Sequence, residues 1–275
     1  MAPLRHTRVL SLVRDRVRVE HADGDPRDGD RTAVVAHFAT TEAVTLSFAT
    51  LVRELRTAGY HVVVVSSASA SGRLQWGNTP LDGVTVLRKP NVGYDFGSWA
   101  VGLARFPEIA AHERVILTND SLLGPFASLA PLLTRLADSP ADVWGLTETL
   151  QFVRHIQSYF LAFRGGALQE RPLAQFWGDV RHYGEKQLVI QRGELALARL
   201  LAREGFSMDA AFPAQSVARA EDNPTLAGWR GLLAGGFPFV KRELVRRPEL
   251  VADGRDVPDE VARRYATDLD VWGPA

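Results

Sequence analysis

Cysteine is absent from the 275-residue sequence, which excludes disulfide bonds, thiolate nucleophiles and Cys-ligated zinc or iron–sulfur sites. An excess of either charge is absent too, because 32 Lys and Arg residues are matched by 32 Asp and Glu residues. Such a chain has no overall field to attract nucleic acid, so we expect no nucleic-acid partner. Long apolar runs and an N-terminal signal core are also missing. We therefore expect a soluble, cytoplasmic protein.

Several catalytic motifs are missing as well. The sequence has no phosphate-binding loop that ends in Lys-Ser or Lys-Thr, no dinucleotide-binding glycine fingerprint and no His-Glu-x-x-His zinc motif. A serine nucleophile elbow is also missing. These absences argue against phosphate-loop nucleotidases, dinucleotide-dependent dehydrogenases, zinc proteases and serine hydrolases.

The length permits one large α/β domain with appendages. We assign residues 32–248 to this domain, residues 1–31 to an N-terminal extension and linker, and residues 249–275 to a polar C-terminal tail. Four apolar residues of the extension could form one face of a basic helix on a membrane surface, or belong to a first helix or strand of the domain: Leu4, Leu10, Val13 and Val17.

Buried strands alternate with amphipathic helices along the domain, which predicts an open, mostly parallel sheet flanked by helices. The predicted strands cover residues 33–38, 62–65, 84–87, 115–117, 142–147 and 155–163. The clearest predicted helices cover residues 42–58, 96–106 and 188–204; the first is capped by Thr40 or Thr41 and left through Gly59, and the last ends at Gly205.

Polar residues follow four of these strands, at the sheet edge where ligands of open α/β sheets collect. They are His37, the Asn91 to Gly97 loop, the run Thr118 to Ser121, and Glu148. We expect them to converge on one cleft.

Asp120 lies between the oxygen-bearing residues Asn119 and Ser121 at one of these strand ends. A carboxylate with such neighbours can hold Mg²⁺ or Mn²⁺, which would neutralise a diphosphate. The same three residue types also turn a chain and cap a helix, and their spacing alone favours neither interpretation.

The loop before the predicted helix at residue 96 contains Asn91, Gly93 and Asp95. Its glycines would let the backbone approach a ligand, and Asp95 could accept a hydrogen bond from a ribose or sugar hydroxyl. A turn followed by a helix cap explains the same residues.

Glu194 occupies the head of its predicted helix and shares a face with Leu197, Ala198 and Leu201. A partly buried carboxylate in such a place suits a general base, although a first-turn glutamate that compensates the helix dipole fits equally. His37 and His155 line the predicted site. Lys241 belongs to a basic run that either closes over phosphates or is a solvated surface.

Taken in order, seven stretches resemble the rhamnan synthesis F family of bacterial glycosyltransferases and span most of residues 33–248. They are His37-Phe38, Asn91 to Trp99, Thr118 to Ser121 with Gly124-Pro125, His155 to Phe160, Glu194 to Leu197, Asn223-Pro224 with Trp229, and Pro238 to Leu244.

The resemblance implies a glycosyltransferase A-type fold, a nucleotide-sugar donor, with dTDP-rhamnose first, and a role in building a rhamnose-containing cell-surface polysaccharide. By the same resemblance, Asn119-Asp120-Ser121 takes the place of an Asp-any-Asp metal motif, with Asp120 and Ser121 as metal ligands. Glu194 takes the place of the catalytic base. Asn119 stands where the first Asp usually does, which makes a donor-assisted metal site more plausible than a protein-only one.

We expect inverting transfer onto a glycan or a lipid-linked glycan, with the enzyme in the cytoplasm or at the inner face of the cell membrane. His37, Asn91, Gly93, Asp95, Asn119, Asp120 and Lys241 would bind the donor, and Glu148, His155 and Ser158 would line the acceptor side. Two alternatives stay open, a metal-dependent nucleotidyl or phosphoryl transferase and a non-catalytic sugar-binding subunit.

Overall fold

A computed structural model describes residues 7–274, so Leu4 and Arg5 of the predicted basic helix lie outside the described residues. The predicted α/β architecture is confirmed: a large, mostly parallel sheet is flanked by helices on both faces. In chain order the strands are β1 (Arg18–Ala22), β2 (Arg31–His37), β3 (His61–Ser66), β4 (Val84–Arg88), β5 (Arg114–Asn119), β6 (Leu122–Leu123), β7 (Val143–Thr149), β8 (His155–Ile156), β9 (Phe160–Arg164), β10 (Met208–Phe212) and β11 (Val240–Lys241).

The helices alternate with these strands. They are α1 (Val9–Val13), α2 (Leu46–Thr57), α3 (Tyr94–Arg105), α4 (Ala130–Asp138), α5 (Arg171–Gly178), α6 (Lys186–Val189), α7 (Leu195–Glu204), α8 (Pro224–Ala227), α9 (Trp229–Ala234), α10 (Arg242–Arg246) and α11 (Val257–Tyr265). A π-helical turn, Ile190–Glu194, joins α6 to α7. No helix among residues 7–274 is both long and apolar enough to cross a membrane.

The main sheet has the order β1-β4-β3-β2-β5-β9-β7-β10, and β8 pairs with β7 beside it. The central strands β4, β3, β2 and β5 are parallel, whereas β1 and β9 run antiparallel to their neighbours. Chain order reverses between β2 and β5. The carboxyl ends of these two strands therefore mark the switch point at which open α/β sheets bind ligands.

Two apolar layers cover the sheet, because its strands carry apolar side chains on both faces. One layer contains residues of α2 and α4, such as Phe48 and Leu133. The other contains residues of α1, α3, α5 and α7, such as Trp99 and Trp177. The side chain of Thr45 accepts a hydrogen bond from the backbone N–H of Phe48, so α2 is capped at Thr45 and not at Thr40 or Thr41.

The two appendages expected from the sequence are folded onto the domain. Val9 and Val13 of α1 are buried against α3, and β1 pairs with β4, so residues 9–22 belong to the domain. The predicted polar tail contains α11, whose Val257 and Val261 pack into a third apolar cluster with Trp229. These valines are four residues apart, so they lie on the same face of α11, and this face is buried.

The single strand predicted at residues 155–163 is wrong, since the chain forms two short strands with a break between them. At the break, the N–H of Gln157 donates to the Thr147 carbonyl, and the N–H of Ser158 donates to the carboxylate of Glu194. At Ser158 the backbone N–H is therefore bonded to the Glu194 side chain and not to a neighbouring strand. The break lies at the cleft described next.

Candidate active site

A cavity of about 450 Å³, the main cavity, opens beyond the carboxyl ends of the central strands. One wall comes from the start of α3 and the end of β5, with Asp95, Asn119 and Ser121. The π-helical turn and β8 contribute Glu194 and His155, which lie between this wall and the loop that follows β7. Its volume lies within the usual range for small-molecule binding sites.

Asn119 organises the first wall through both ends of its amide. Its nitrogen donates to Oδ2 of Asp95 at 2.8 Å, and its oxygen accepts from the Ser121 N–H at 3.1 Å and the Ser121 hydroxyl at 2.6 Å. Asp95 and Asn119 come from sequence positions 24 residues apart. The structure therefore joins two predicted donor-binding residues in one hydrogen-bonded unit.

Asp120 points to the opposite side of its strand end, away from this cavity. Its Oδ2 accepts from the backbone N–H of Phe38 at 2.9 Å and lies 4.0 Å from Nε2 of His37. Successive side chains of an extended chain alternate between faces, so Asn119 and Ser121 share one side and Asp120 the other. The predicted pairing of Asp120 with Ser121 as joint metal ligands does not fit this alternation.

Burial controls the charges of the His37 and Asp120 pair. It raises the pKa of Asp120 to about 6, although the Phe38 N–H and Arg242 oppose the shift. Burial also lowers the pKa of His37 to about 4, and Arg88 and Arg242 add to that effect. His37 donates to or accepts from the Ser66 hydroxyl at 3.0 Å and does not line the main cavity. Its predicted role in donor binding thus has no contact to support it.

The residues predicted to hold Mg²⁺ or Mn²⁺ do not form a protein-only metal site. Among residues 7–274 no group of three His, Asp or Glu side chains is arranged to hold an ion. The oxygen of Asn119 is already bonded to Ser121, and the carboxylate of Asp120 is bonded to Phe38. A cation at this wall would need most of its oxygen ligands from a bound phosphate or from water.

Glu194 projects from the π-helical turn into the main cavity. The backbone N–H of Leu195 donates to the carbonyl of Ile190, five residues earlier, which is the bond that defines the turn. The sequence predicted Glu194 at the head of a helix. In the structure it lies within a longer helical segment. Its Oε1 accepts the Ser158 N–H at 2.7 Å, so one carboxylate oxygen is fixed by backbone.

His155 faces the same carboxylate. Its Nε2 lies 3.8 Å from Oε1 of Glu194, while its Nδ1 lies 2.7 Å from the carbonyl oxygen of Val153. Since a carbonyl only accepts hydrogen bonds, we assign the ring proton to Nδ1. In the neutral ring, the lone pair of Nε2 therefore faces a carboxylate oxygen. Such a pair is suited to take up one proton between its two members.

The other predicted site residues fall into two groups. Ser158 and Lys241 line the main cavity, as expected. Asn91 and Glu148 do not; Asn91 is exposed elsewhere, and Glu148 is ion-paired with Arg154. Gly93 donates its N–H to His182, and a Cβ there would meet Val9 at 2.4 Å, so close packing and not ligand approach requires this glycine.

Sequence reasoning missed much of the far wall of the cavity. This wall contains Gln151, Phe152, Gln157 and Asn223, and Tyr94 faces the cavity from the start of α3. Tyr94 and Phe152 have positive φ angles of 53° and 70°. No pattern in the sequence marks Phe152, because an aromatic residue in a polar loop carries no periodic signal.

Comparison with known proteins places the chain in a family. It is 28% identical to Virulence protein VirA of Vibrio anguillarum, over 58% of this chain and 62% of that protein. It is 24% identical to Uncharacterized protein y4gN of Sinorhizobium fredii, over 54% of this chain and 40% of that protein. The matches thus span less than two thirds of the length of either relative. The family model for Rhamnan synthesis protein F matches residues 62–272, which is more than half of the chain, so the chain belongs to the rhamnan synthesis protein F family.

Proposed function

We propose that this protein is a glycosyltransferase that moves a sugar from a nucleotide-sugar donor onto a growing cell-surface polysaccharide. Membership of the rhamnan synthesis protein F family supports a part in polysaccharide synthesis. The observation that carries the chemistry is the carboxylate of Glu194, which projects into the main cavity with one oxygen fixed by the Ser158 N–H. We take dTDP-rhamnose as the first donor to test and a glycosyltransferase A-type arrangement as the framework.

The proposed reaction is a direct, inverting displacement. An acceptor hydroxyl oxygen forms a bond to the anomeric carbon while the bond from that carbon to the diphosphate breaks, and the bonding electrons leave with the diphosphate. Glu194 takes the hydroxyl proton, which makes the oxygen a stronger nucleophile at the moment of attack. His155 then shares that proton through Nε2. No covalent enzyme intermediate is required.

The donor would bind against the wall made by Asp95, Asn119 and Ser121, next to the switch point of the sheet. The Asp95 carboxylate, oriented by the Asn119 amide, would accept hydrogen bonds from ribose or sugar hydroxyls. Lys241 lines the cavity from β11, whose pairing with β6 brings it near this wall. Its ammonium group would lie near the leaving diphosphate.

A divalent cation remains a prediction. If Mg²⁺ or Mn²⁺ takes part, Asp95 and the donor phosphates would supply its ligands, and its chemistry would be to neutralise the leaving diphosphate. The acceptor is expected to be a glycan or a lipid-linked glycan. We place the enzyme in the cytoplasm, with the inner face of the cell membrane as the site of work on a lipid-linked acceptor.

A donor-turnover assay tests this proposal. The 275-residue chain is incubated with dTDP-rhamnose, UDP-glucose or GDP-mannose, with Mg²⁺, with Mn²⁺ or with EDTA, and nucleoside diphosphate release is measured. Release that Glu194→Gln abolishes supports the transferase. Pyrophosphate release from a nucleoside triphosphate would instead favour a nucleotidyl transferase.

Thermal shift with the same donors separates catalysis from binding. A donor that binds the native state raises the melting temperature by mass action, whether or not it turns over. Stabilisation without turnover would favour a non-catalytic sugar-binding subunit. The absence of both stabilisation and turnover with all three donors would overturn the proposal.

A further inference from the structure

The wall of the cavity opposite Asp95 and Asn119 carries an aromatic ring in an unusual state. Phe152 is 70% exposed, more than any other large apolar side chain among the described residues. Its φ of 70° lies in the left-handed region, which bulky residues rarely adopt. The backbone conformation costs free energy, and backbone outliers of this kind cluster at ligand-binding sites. A glycine at this position would remove that cost, so the retained ring suggests a function.

The polar groups around Phe152 are uncharged amides. Gln157 is fixed on both sides, since its oxygen accepts from the Thr147 hydroxyl at 2.8 Å and its nitrogen donates to Oδ1 of Asn223 at 3.1 Å. Asn223 Oδ1 also accepts from the N–H and the hydroxyl of Thr225. The amide of Asn223 is thereby held in one orientation. In the part of the chain that the structure describes, no acceptor lies within hydrogen-bonding range of its nitrogen.

The cation nearest to Phe152 in sequence is already ion-paired. Arg154, the nearest cation along the chain, is ion-paired with Glu148, and Gln151 donates to the backbone carbonyl of Glu221. A phosphate or a carboxylate ligand would require an available cation to offset its desolvation. This wall is therefore suited to a neutral ligand.

A pyranose ring matches this chemistry. One face of such a ring is a patch of C–H groups that packs on an aromatic side chain, and its rim is a set of hydroxyls that bond to amides. In the sheet, β9 lies between β5 and β7, and Ser158, just before β9, is bonded to Glu194. Glu194 therefore lies between the donor wall at the end of β5 and Phe152 beyond the end of β7. A sugar on Phe152 would thus present a hydroxyl from the acceptor side.

We propose that Phe152, with the amides of Gln151 and Asn223, forms an acceptor subsite that takes a neutral pyranose unit of a glycan chain. This inference rests on the proposed function for its direction, because it makes Phe152 the acceptor side of a transfer reaction. It does not require turnover to be tested, since a subsite binds sugar whether or not transfer follows.

The test is ligand-observed saturation-transfer NMR with methyl α-L-rhamnopyranoside, methyl β-D-glucopyranoside and methyl β-D-glucuronide. We expect saturation of ring C–H protons of at least one neutral glycoside, and at least a tenfold weaker Kd in Phe152→Ala. Phe152→Tyr should keep binding within about threefold. Phe38→Ala is the matched control, because Phe38 is also exposed, at 47%, but lies outside the cavity.

Phe152→Gly separates binding from folding. Glycine adopts the φ of this position without strain, so this variant should melt at a higher temperature than the wild type and yet lose the glycoside signal. A lower melting temperature together with retained binding would overturn the inference. Equal binding of the glucuronide, or weaker nucleotide-sugar binding in place of weaker glycoside binding, would also overturn it.

Failure of the subsite and failure of the transferase give different results. Nucleoside diphosphate release by the wild type without any Phe152-dependent glycoside binding leaves the proposed function standing and removes the subsite. Phe152-dependent glycoside binding without turnover of any donor does the reverse.

Discussion

The Nε2 atom of His155 lies 3.8 Å from Oε1 of Glu194, and that same oxygen is held by the backbone N–H of Ser158. The first residue belongs to β8 and the second to the π-helical turn, and the two residues are 39 positions apart in the chain. The arrangement is a carboxylate with one fixed oxygen and an imidazole lone pair directed at it. Both residues line the same cavity, so a proton taken from a bound hydroxyl can reach either.

Glu194→Gln should lower kcat for transfer by about 10²–10⁴-fold, the range that a general base usually contributes. Glutamine keeps an oxygen to accept the Ser158 N–H but cannot take a proton, so donor KM should change by less than about threefold. Steady-state kinetics with the active nucleotide sugar measures both constants. Glu204→Gln, on an exposed turn of α7, is the control. Normal turnover by Glu194→Gln would remove this residue from the mechanism.

His155→Gln and His155→Asn distinguish proton sharing from simple support. The glutamine variant places an amide near the position of Nε2, whereas the asparagine variant keeps a donor near Val153 and leaves Glu194 unaccompanied. If His155 shares the proton, both variants should lower kcat by about tenfold or more at unchanged donor KM, and the solvent deuterium isotope effect on kcat should change. A wild-type kcat in the glutamine variant would show that His155 supports Glu194 by a hydrogen bond and does not share its proton.

Asp120→Asn should stabilise the protein at neutral pH. The pKa of Asp120 is raised from 3.8 to about 6 by burial, so the folded state binds this proton more tightly than the unfolded state does. Stability therefore falls as pH rises from about 4 to about 6, and the penalty, at most about 3 kcal/mol, persists at pH 7. In denaturant unfolding at pH 4 and pH 7, the variant should have a larger free energy of unfolding than the wild type only at pH 7. A less stable variant at pH 7, in Mg²⁺ but not in EDTA, would instead indicate a cation on Asp120.

Gly193→Ala should impair catalysis because it displaces Glu194 without changing its chemistry. A Cβ at Gly193 would lie 3.0 Å from the ring of Phe96, which stacks on Trp177 and is held by Trp99, so the ring has little room to move. The π-helical turn must shift instead, and Glu194 with it, which should lower kcat by about tenfold. Gly178→Ala is the matched control, because nothing lies within 4 Å of its Cβ and its φ is negative. Kinetics and melting temperature of the two variants provide the comparison.

Much of the fold followed from the sequence because buried strands and amphipathic helices have distinct periods. The strands that carry only apolar residues, such as Val62 to Val65, were predicted nearly to the residue. The break at Gln157 and Ser158 was not, since its cause is a carboxylate from a helix far along the chain. The burial of Val257 and Val261 was readable from their spacing, but the polar residues around them obscured it.

Part of the site was equally within reach of the sequence. Adjacent residues of an extended strand end face opposite ways, so the sequence already indicated that Asn119 and Asp120 lie on different sides of this strand end. The link between Asn119 and Asp95 required tertiary structure, as did the pairing of His155 with Glu194. Phe152 carried no signal at all, because what marks it is a backbone angle and an exposed ring.

The π-helical turn that ends at Glu194 amounts to one extra residue in an otherwise regular helix. Deleting a single residue from it would restore α-helical bonding and rotate the carboxylate about 100° around the helix axis, out of the cavity. The sheet, the donor wall and the aromatic wall would all remain. Under the proposed mechanism, such a deletion would remove the base in one genetic step and leave the residues proposed to bind sugars in place.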